Sequence, residues 1–161
     1  MFARQQKEEI VRLRDKINEN LTSAMKAKDV LRLSVLRMMK SAVKNKEIEL
    51  RAELEDAQAI QVLSTLIKQR KDSIAQFTAG GRGDLAEKEA AEIKIIEEYL
   101  PAAVSEAEIE KTVDEVLKET GASSPKDIGA VMKQCMARFA GKVVDGKRVN
   151  AAVRSRLEPK T

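Results

Sequence analysis

Apolar residues recur every three to four positions along most of this chain, with charged residues filling the intervals. Ile10, Leu13, Ile17, Leu21 and Ala24 predict an amphipathic helix from about Lys7 to Ala27. Asp29 is placed to cap a second helix, whose apolar face comprises Leu31, Val35, Met38, Met39, Ala42 and Val43. A third starts at Asp56 and turns Ile60, Leu63, Leu66, Ile67, Ile74 and Phe77 inward. The run Ala79-Gly80-Gly81-Arg82-Gly83 stops it. Asp84 opens a fourth, which ends at Tyr99-Leu100 because Pro101 disfavours helical backbone at the residue before it.

The pattern then shortens. Ser105 and Glu108 form a capping-box pair ahead of Ile109, Val113, Val116 and Leu117, a fifth helix that Gly121 ends. Ser124-Pro125 puts a capping residue before proline at the first helical position. The sixth helix buries Ile128, Val131, Met132, Cys135 and Phe139 and closes at Gly141. The seventh runs from about Gly146 to Leu157 and buries Val149, Ala152 and Val153. The expected architecture is all-α: a four-helix N-terminal domain over residues 1–100, then a small three-helix C-terminal module over residues 101–161.

Composition agrees with soluble amphipathic helices, at 43% apolar and 35% charged residues. No alternating valine- and aromatic-rich run argues for strands. One cysteine excludes an internal disulfide and fits a reducing compartment. The N-terminal segment MFARQQKEEIVRLRDK is charged throughout and has no apolar h-region, so it predicts no secretory signal. Every apolar run is broken by charge well short of the ~18 residues of a membrane span. The expectation is a cytoplasmic protein with no membrane partner.

Catalytic chemistry is thin. The chain has no histidine, the commonest general base and metal ligand. Cys135 sits on an apolar helix face with no base beside it in the pattern, as a small core residue does. The Gly80–Gly83 run neither follows a strand nor continues into Gly-Lys-Ser/Thr, so it reads as a helix stop, not a phosphate loop. Acidic runs Glu47, Glu49, Glu53, Glu55 and Glu87, Glu89, Glu92 read as solvated faces before metal sites. The sequence therefore predicts no catalytic residue, no metal and no cofactor, and argues against an enzyme acting alone.

Charge distribution carries more. From Ala122 to Thr161 there are nine Lys/Arg against three Asp/Glu, whereas Pro101 to Gly121 holds two against six. A basic field segregated in this way suits a polyanion. Lys126 and Lys133, seven residues apart, are expected to share a helix face, as are Lys147 and Arg154, while Lys142 and Arg148 flank the turn between them. A second stripe, Arg37, Lys40 and Lys44, lies on the second helix away from its apolar side. Such spacing can follow phosphates. Lysine-rich faces also serve solubility alone, and a membrane-surface helix would want Trp or Phe opposite the lysines. With no Trp, one Tyr and three Phe, base stacking is poorly supplied, so phosphate and shape recognition of a folded RNA is the better nucleic-acid fit.

Several blocks of the chain, in order, resemble the YqeY family. They are Arg32-Leu33, Leu36, Ala42-Val43-Lys44-Asn45 and Glu47-Ile48-Glu49; Ile67-Lys68-Gln69-Arg70-Lys71-Asp72-Ser73-Ile74 and Phe77; and Ala79-Gly80-Gly81-Arg82, Asp84-Leu85-Ala86, Glu89, Glu92, Ile96 and Tyr99-Leu100-Pro101. The later run Ile128-Gly129, Val131-Met132-Lys133, Gly141, Asp145-Gly146-Lys147 and Val149-Asn150 resembles the tail shared with GatB, a subunit of the glutamyl/aspartyl-tRNA amidotransferase.

This resemblance implies an all-helical, two-part fold and a tail that helps hold tRNA. It places Lys133, Lys142 and Lys147 on basic tail positions and Gly129, Gly141 and Gly146 on small ones. Lys126, Arg148 and Arg154 rest on charge placement only. The family's label of carbon–nitrogen ligase with glutamine as amide donor needs a nucleophile and a nucleotide site that this chain does not offer by itself. The expected partners are tRNA or another structured RNA, with a protein of aminoacyl-tRNA metabolism as the alternative, reached through a helical adaptor surface.

Overall fold

The computed structural model describes residues 12–159, so the predicted start of the first helix at Lys7–Val11 lies outside the described residues. These are all-helical, and they divide at Leu100–Pro101 into two compact units.

The first unit holds α1 (Leu13–Ala27), α2 (Val30–Leu50), α3 (Asp56–Ala79) and α4 (Gly83–Glu97). Ile17, Val35, Leu36, Met39, Leu63 and Ile96 are fully buried between them. The short connections make two helical hairpins, α1–α2 and α3–α4. Neither α1 nor α2 ends on glycine: Lys28 and Arg51 take left-handed backbone at φ 56° and 53°. That conformation costs a β-carbon-bearing residue roughly 1–2 kcal/mol. After α1 it lets the Lys28 and Asp29 N–H groups close on Met25 O and Ala24 O. Asp29 then caps α2, accepting from the Arg32 N–H at 3.0 Å.

Asp56 is the first residue of α3, where the sequence puts the start, and its carboxylate also crosses to accept the Leu13 N–H at 3.0 Å and so caps α1. Other local expectations change in three dimensions. Asp84 lies inside the first turn of α4, beside Arg82. Leu31 is 38% exposed beside the α1–α2 turn, and Phe77 is only half-buried, near the α3–α4 turn.

Among the described residues one charge is buried. The Arg70 side chain is 8% exposed and that of Glu92 12%, with Nε 3.1 Å from the Glu92 carboxylate. The guanidinium also donates to Leu66 O at 3.2 Å and lies against the Met38 sulfur. It thereby joins α3 to α4 and to α2. The sequence places Glu92 in an acidic run and Arg70 on a helix; only the fold reveals the pair.

The second unit holds α5 (Glu106–Thr120), a 3₁₀ turn (Pro125–Asp127), α6 (Ile128–Arg138) and α7 (Gly146–Leu157). Val113, Val116, Val131, Cys135, Phe139, Val149 and Val153 form its core. Ser105 caps α5 by accepting from the Glu108 N–H at 3.2 Å. Gly121 and Gly141 take φ 66° and 79°, left-handed values that glycine adopts without a steric penalty. A parallel bridge between Ala103 and Val143, with Val104 N–H to Val143 O at 2.7 Å, ties the start of the unit to the strap before α7. The Asp127 carboxylate gathers the Ser123 and Ser124 N–H groups at 3.1 and 3.2 Å and the Ser124 hydroxyl at 3.4 Å. Those donors hold it below the usual carboxylate range.

Two expected outcomes follow from these contacts. Arg70→Met leaves the Glu92 carboxylate buried without its cation, which costs roughly 3–5 kcal/mol. Urea unfolding measures the loss, and the double variant Arg70→Met/Glu92→Met recovers most of it. For Asp127 the folded-state value is depressed, so its contribution is whole above the usual aspartate range and fades as pH falls below about 4. Melts of the protein and of Asp127→Asn, followed by circular dichroism, therefore differ near neutrality and converge in acid.

Candidate nucleic-acid interface

The basic residues of the second unit fall into two groups once their partners are known. Arg138 reaches from the end of α6 to Glu115, at 3.3 Å, and to Glu119, both on α5. Arg156 on α7 pairs with Asp114 on α5. Arg154 is held by Glu158 and by the Asn150 side-chain oxygen, the latter at 2.9 Å. These arginines spend charge on the acidic helix of their own unit or on local contacts.

Lys126, Lys133, Lys142, Lys147 and Arg148 are all exposed, and none has an acid within 4.0 Å among the described residues. Each is positioned by a different local device. Lys126 rides in the 3₁₀ turn that Asp127 pins from Ser123 and Ser124. Lys133 stands on α6 opposite Val131 and Cys135, which face the core. Lys142 follows the left-handed Gly141. Lys147 and Arg148 occupy the first turn of α7, where the Asp145 side chain accepts the Lys147 N–H at 2.9 Å.

Two spacings behave differently. Lys126 belongs to a 3₁₀ turn, not to the α-helix of Lys133, so seven residues do not put the two on one α-helical face. Lys147 and Arg154 do share a face of α7, but the Arg154 guanidinium is engaged by Glu158. Around Lys133 the surface is low: Gly129, Ala130, Ala137 and Ala140 are exposed. A β-carbon added at Gly129 or at Gly146 meets nothing within 4 Å, so neither glycine serves close packing inside the chain.

The stripe in the first unit lies on α2. Arg37, Lys40 and Lys44 are exposed, and again no acid lies within 4.0 Å of them among the described residues. Lys40 and Lys44 border a cleft with α1 of about 250 Å³, lined also by Arg14, Asp15, Ile17, Asn18, Val43 and Glu47. The acids there are taken. Glu47 binds Arg14 at 3.4 Å and the Leu54 N–H at 3.2 Å, and Arg14 also reaches Glu53 at 3.3 Å. The bond and charge of Glu53, then those of Glu47, raise the Arg14 guanidinium above its usual value.

Cys135 is fully buried, and burial pushes its thiol up against the weaker opposing pull of Arg138. A thiol held protonated is a poor nucleophile. Among the described residues no three acidic or sulfur ligands gather at a metal-binding spacing, and no helix is long and apolar enough to cross a membrane.

Comparison with known proteins gives the chain its relatives. The family described as Yqey-like protein matches residues 14–157. "Altered inheritance of mitochondria protein 41, mitochondrial" of Kluyveromyces lactis is 40% identical over 147 residues, 88% of this chain and 77% of that protein. Its namesake in Lachancea thermotolerans is 45% identical over 113 residues, 68% of this chain and 60% of that protein. In Saccharomyces cerevisiae the figures are 43% over 102 residues, 61% and 55%. The match thus spans little more than half the length of the last two relatives.

These names overturn the cytoplasmic expectation, since the relatives are mitochondrial proteins. The absence of an apolar h-region speaks only to secretory signals, and organelle targeting uses different chemistry. With the family match running from α1 through the end of α7, the chain belongs to the YqeY family.

Proposed function

We propose that this protein is a non-catalytic RNA-binding accessory protein that engages tRNA, or another structured RNA, through the basic face of its second unit. One observation carries the reading: Lys126, Lys133, Lys142, Lys147 and Arg148 are exposed cations with no acid within 4.0 Å among the described residues. Unpaired cations have no internal ion pair to break before they meet phosphates, and each phosphate neutralised releases condensed counterions. Gly129, in the first turn of α6, supports it. No neighbour within the chain requires that glycine, and its bare surface lets a phosphate backbone come close to Lys133. The resemblance of residues 128–150 to the GatB tail points the same way.

The carbon–nitrogen ligase label describes ancestry or a partner on this reading. A buried, protonated Cys135 and a chain without histidine supply no nucleophile or base for amide transfer.

A second reading has its own observation. Met25 near the end of α1, and Val30, Ile48 and Leu50 at the two ends of α2, are exposed at 54%, 79%, 64% and 43%, apolar surface that a helix in water does not require. They suit a helical adaptor that holds another protein of aminoacyl-tRNA metabolism.

Charge reversal separates the two. Lys133→Glu with Lys147→Glu is expected to weaken tRNA binding at least tenfold and to flatten its log–log salt dependence by roughly two units. Both sites are exposed, so the helical circular dichroism stays unchanged. Unaltered tRNA binding removes this face as the site, and a protein partner retained after nuclease treatment favours the adaptor.

A further inference from the structure

The outward face of α2 carries two chemistries, aliphatic and cationic, along one line. Val30 and Ile48, 79% and 64% exposed, are the two most exposed large apolar side chains among the described residues. They stand eighteen residues apart on one helix. At 3.6 residues per turn that is five whole turns, so both lie on a single line about 27 Å long. Ser34, Arg37, Ser41 and Lys44 fall between them, within roughly 40° of that line. All four are exposed, and Lys40, exposed as well, flanks them.

No acid interrupts the line. Between Asp29 and Glu47 the chain holds five Lys/Arg and no Asp or Glu. The acids at the helix ends are committed: Asp29 lies 3.6 Å from Arg32, Glu49 2.8 Å from Lys46 and Glu47 3.4 Å from Arg14. A membrane-surface helix read from sequence alone wants apolar residues opposite its lysines. In this fold the opposite face, Val35, Leu36, Met39 and Val43, is buried in the first unit. The exposed aliphatic side chains lie on the cations' own face instead.

That combination discriminates among occupants. A nucleic-acid backbone would take the cations but offers Val30 and Ile48 no apolar surface. A second copy joined here about a two-fold axis would bring two stripes of cations together with no acid between them. Acyl chains beneath anionic headgroups supply both partners at once, charge for the middle of the line and apolar depth for its ends.

We infer that α2 docks this protein, outward face down, on an anionic membrane surface. Arg37, Lys40 and Lys44 sit among the lipid phosphates, and Val30 and Ile48 reach the headgroup–acyl boundary at either end. The helix lies in the interface and does not cross it. The inference does not rest on the tRNA reading, because no residue of the second unit takes part. It gives the aliphatic ends of α2 a different occupant from the adaptor reading.

Vesicle flotation of the full chain provides the test. Vesicles of equal parts phosphatidylcholine and phosphatidylglycerol are expected to carry the protein at least tenfold better than phosphatidylcholine alone, and less so as salt rises. Arg37→Gln with Lys40→Gln and Lys44→Gln lowers that partitioning on the order of a hundredfold. Val30→Ser with Ile48→Ser lowers it at least fivefold. All five side chains are exposed, so helical circular dichroism stays unchanged. Lys133→Glu with Lys147→Glu leaves vesicle binding in place, and a loss equal to that of the glutamine variant would assign the contact to the second unit and overturn the inference. Binding to neither vesicle overturns it too, as does binding that Val30→Ser with Ile48→Ser leaves unchanged, which marks a polyanion surface only. A glutamine variant that loses tRNA but keeps the vesicles assigns the stripe to nucleic acid and equally overturns it.

Discussion

Arg70 and Glu92 set the terms for the first unit. An ion pair this far from solvent is stable only when both members are present and their remaining hydrogen-bonding capacity is met. The guanidinium meets that condition by reaching three helices at once: Glu92 on α4, Leu66 O on its own α3, and Met38 on α2. Leu36, Met39, Leu63 and Ile96 form an apolar core that many registers of the α2, α3 and α4 faces would bury equally well. A buried charge with one acceptable partner removes that freedom. We regard the pair as a device for register, because apolar side chains of similar volume would hold the helices nearly as tightly.

Arginine and lysine divide the work throughout the chain. Among the described residues every ion pair but one, Lys46–Glu49, takes its cation from arginine. The planar, forked guanidinium suits fixed internal pairing, whereas a flexible ammonium on a long stem suits a mobile outer partner. In the second unit Arg138 and Arg156 bind α5, so the acids of that helix are drawn toward the protein's own arginines. The cations left facing outward are lysines with Arg148. The charge segregation in the sequence is therefore partly cancelled inside the fold, and what remains is concentrated in fewer residues than a count suggests.

Much of this fold was legible because seven apolar periodicities coincide with seven helices, and Ser105, Asp29 and Asp145 cap where short polar side chains do so. What escaped was long-range. Asp56 reads as the start of the third helix and is, yet nothing local shows that its side chain also caps α1, more than forty residues earlier. Lys28 and Arg51 end helices in a conformation that sequence assigns to glycine, because capping hydrogen bonds outweigh the local penalty. Arg70 and Glu92 look like surface charges, since nothing in a periodic pattern says which charge will meet its partner inside. For the candidate interface the residue list was readable from charge, whereas the engagement of Arg154 by Glu158 and the freedom of Lys133 were not. The compartment was misread because reducing chemistry and a missing h-region do not distinguish the cytoplasm from an organelle.

The central claim is that the outward lysines of the second unit are there for phosphates. Binding of the purified full chain to folded tRNA across a salt series tests it most directly. The account predicts micromolar or tighter binding at low salt, with log K falling linearly with log salt at a slope of roughly −3 to −5, as several neutralised phosphates require. Binding that is absent at low salt, or insensitive to salt, would contradict it and return those lysines to the role of keeping a helical surface soluble.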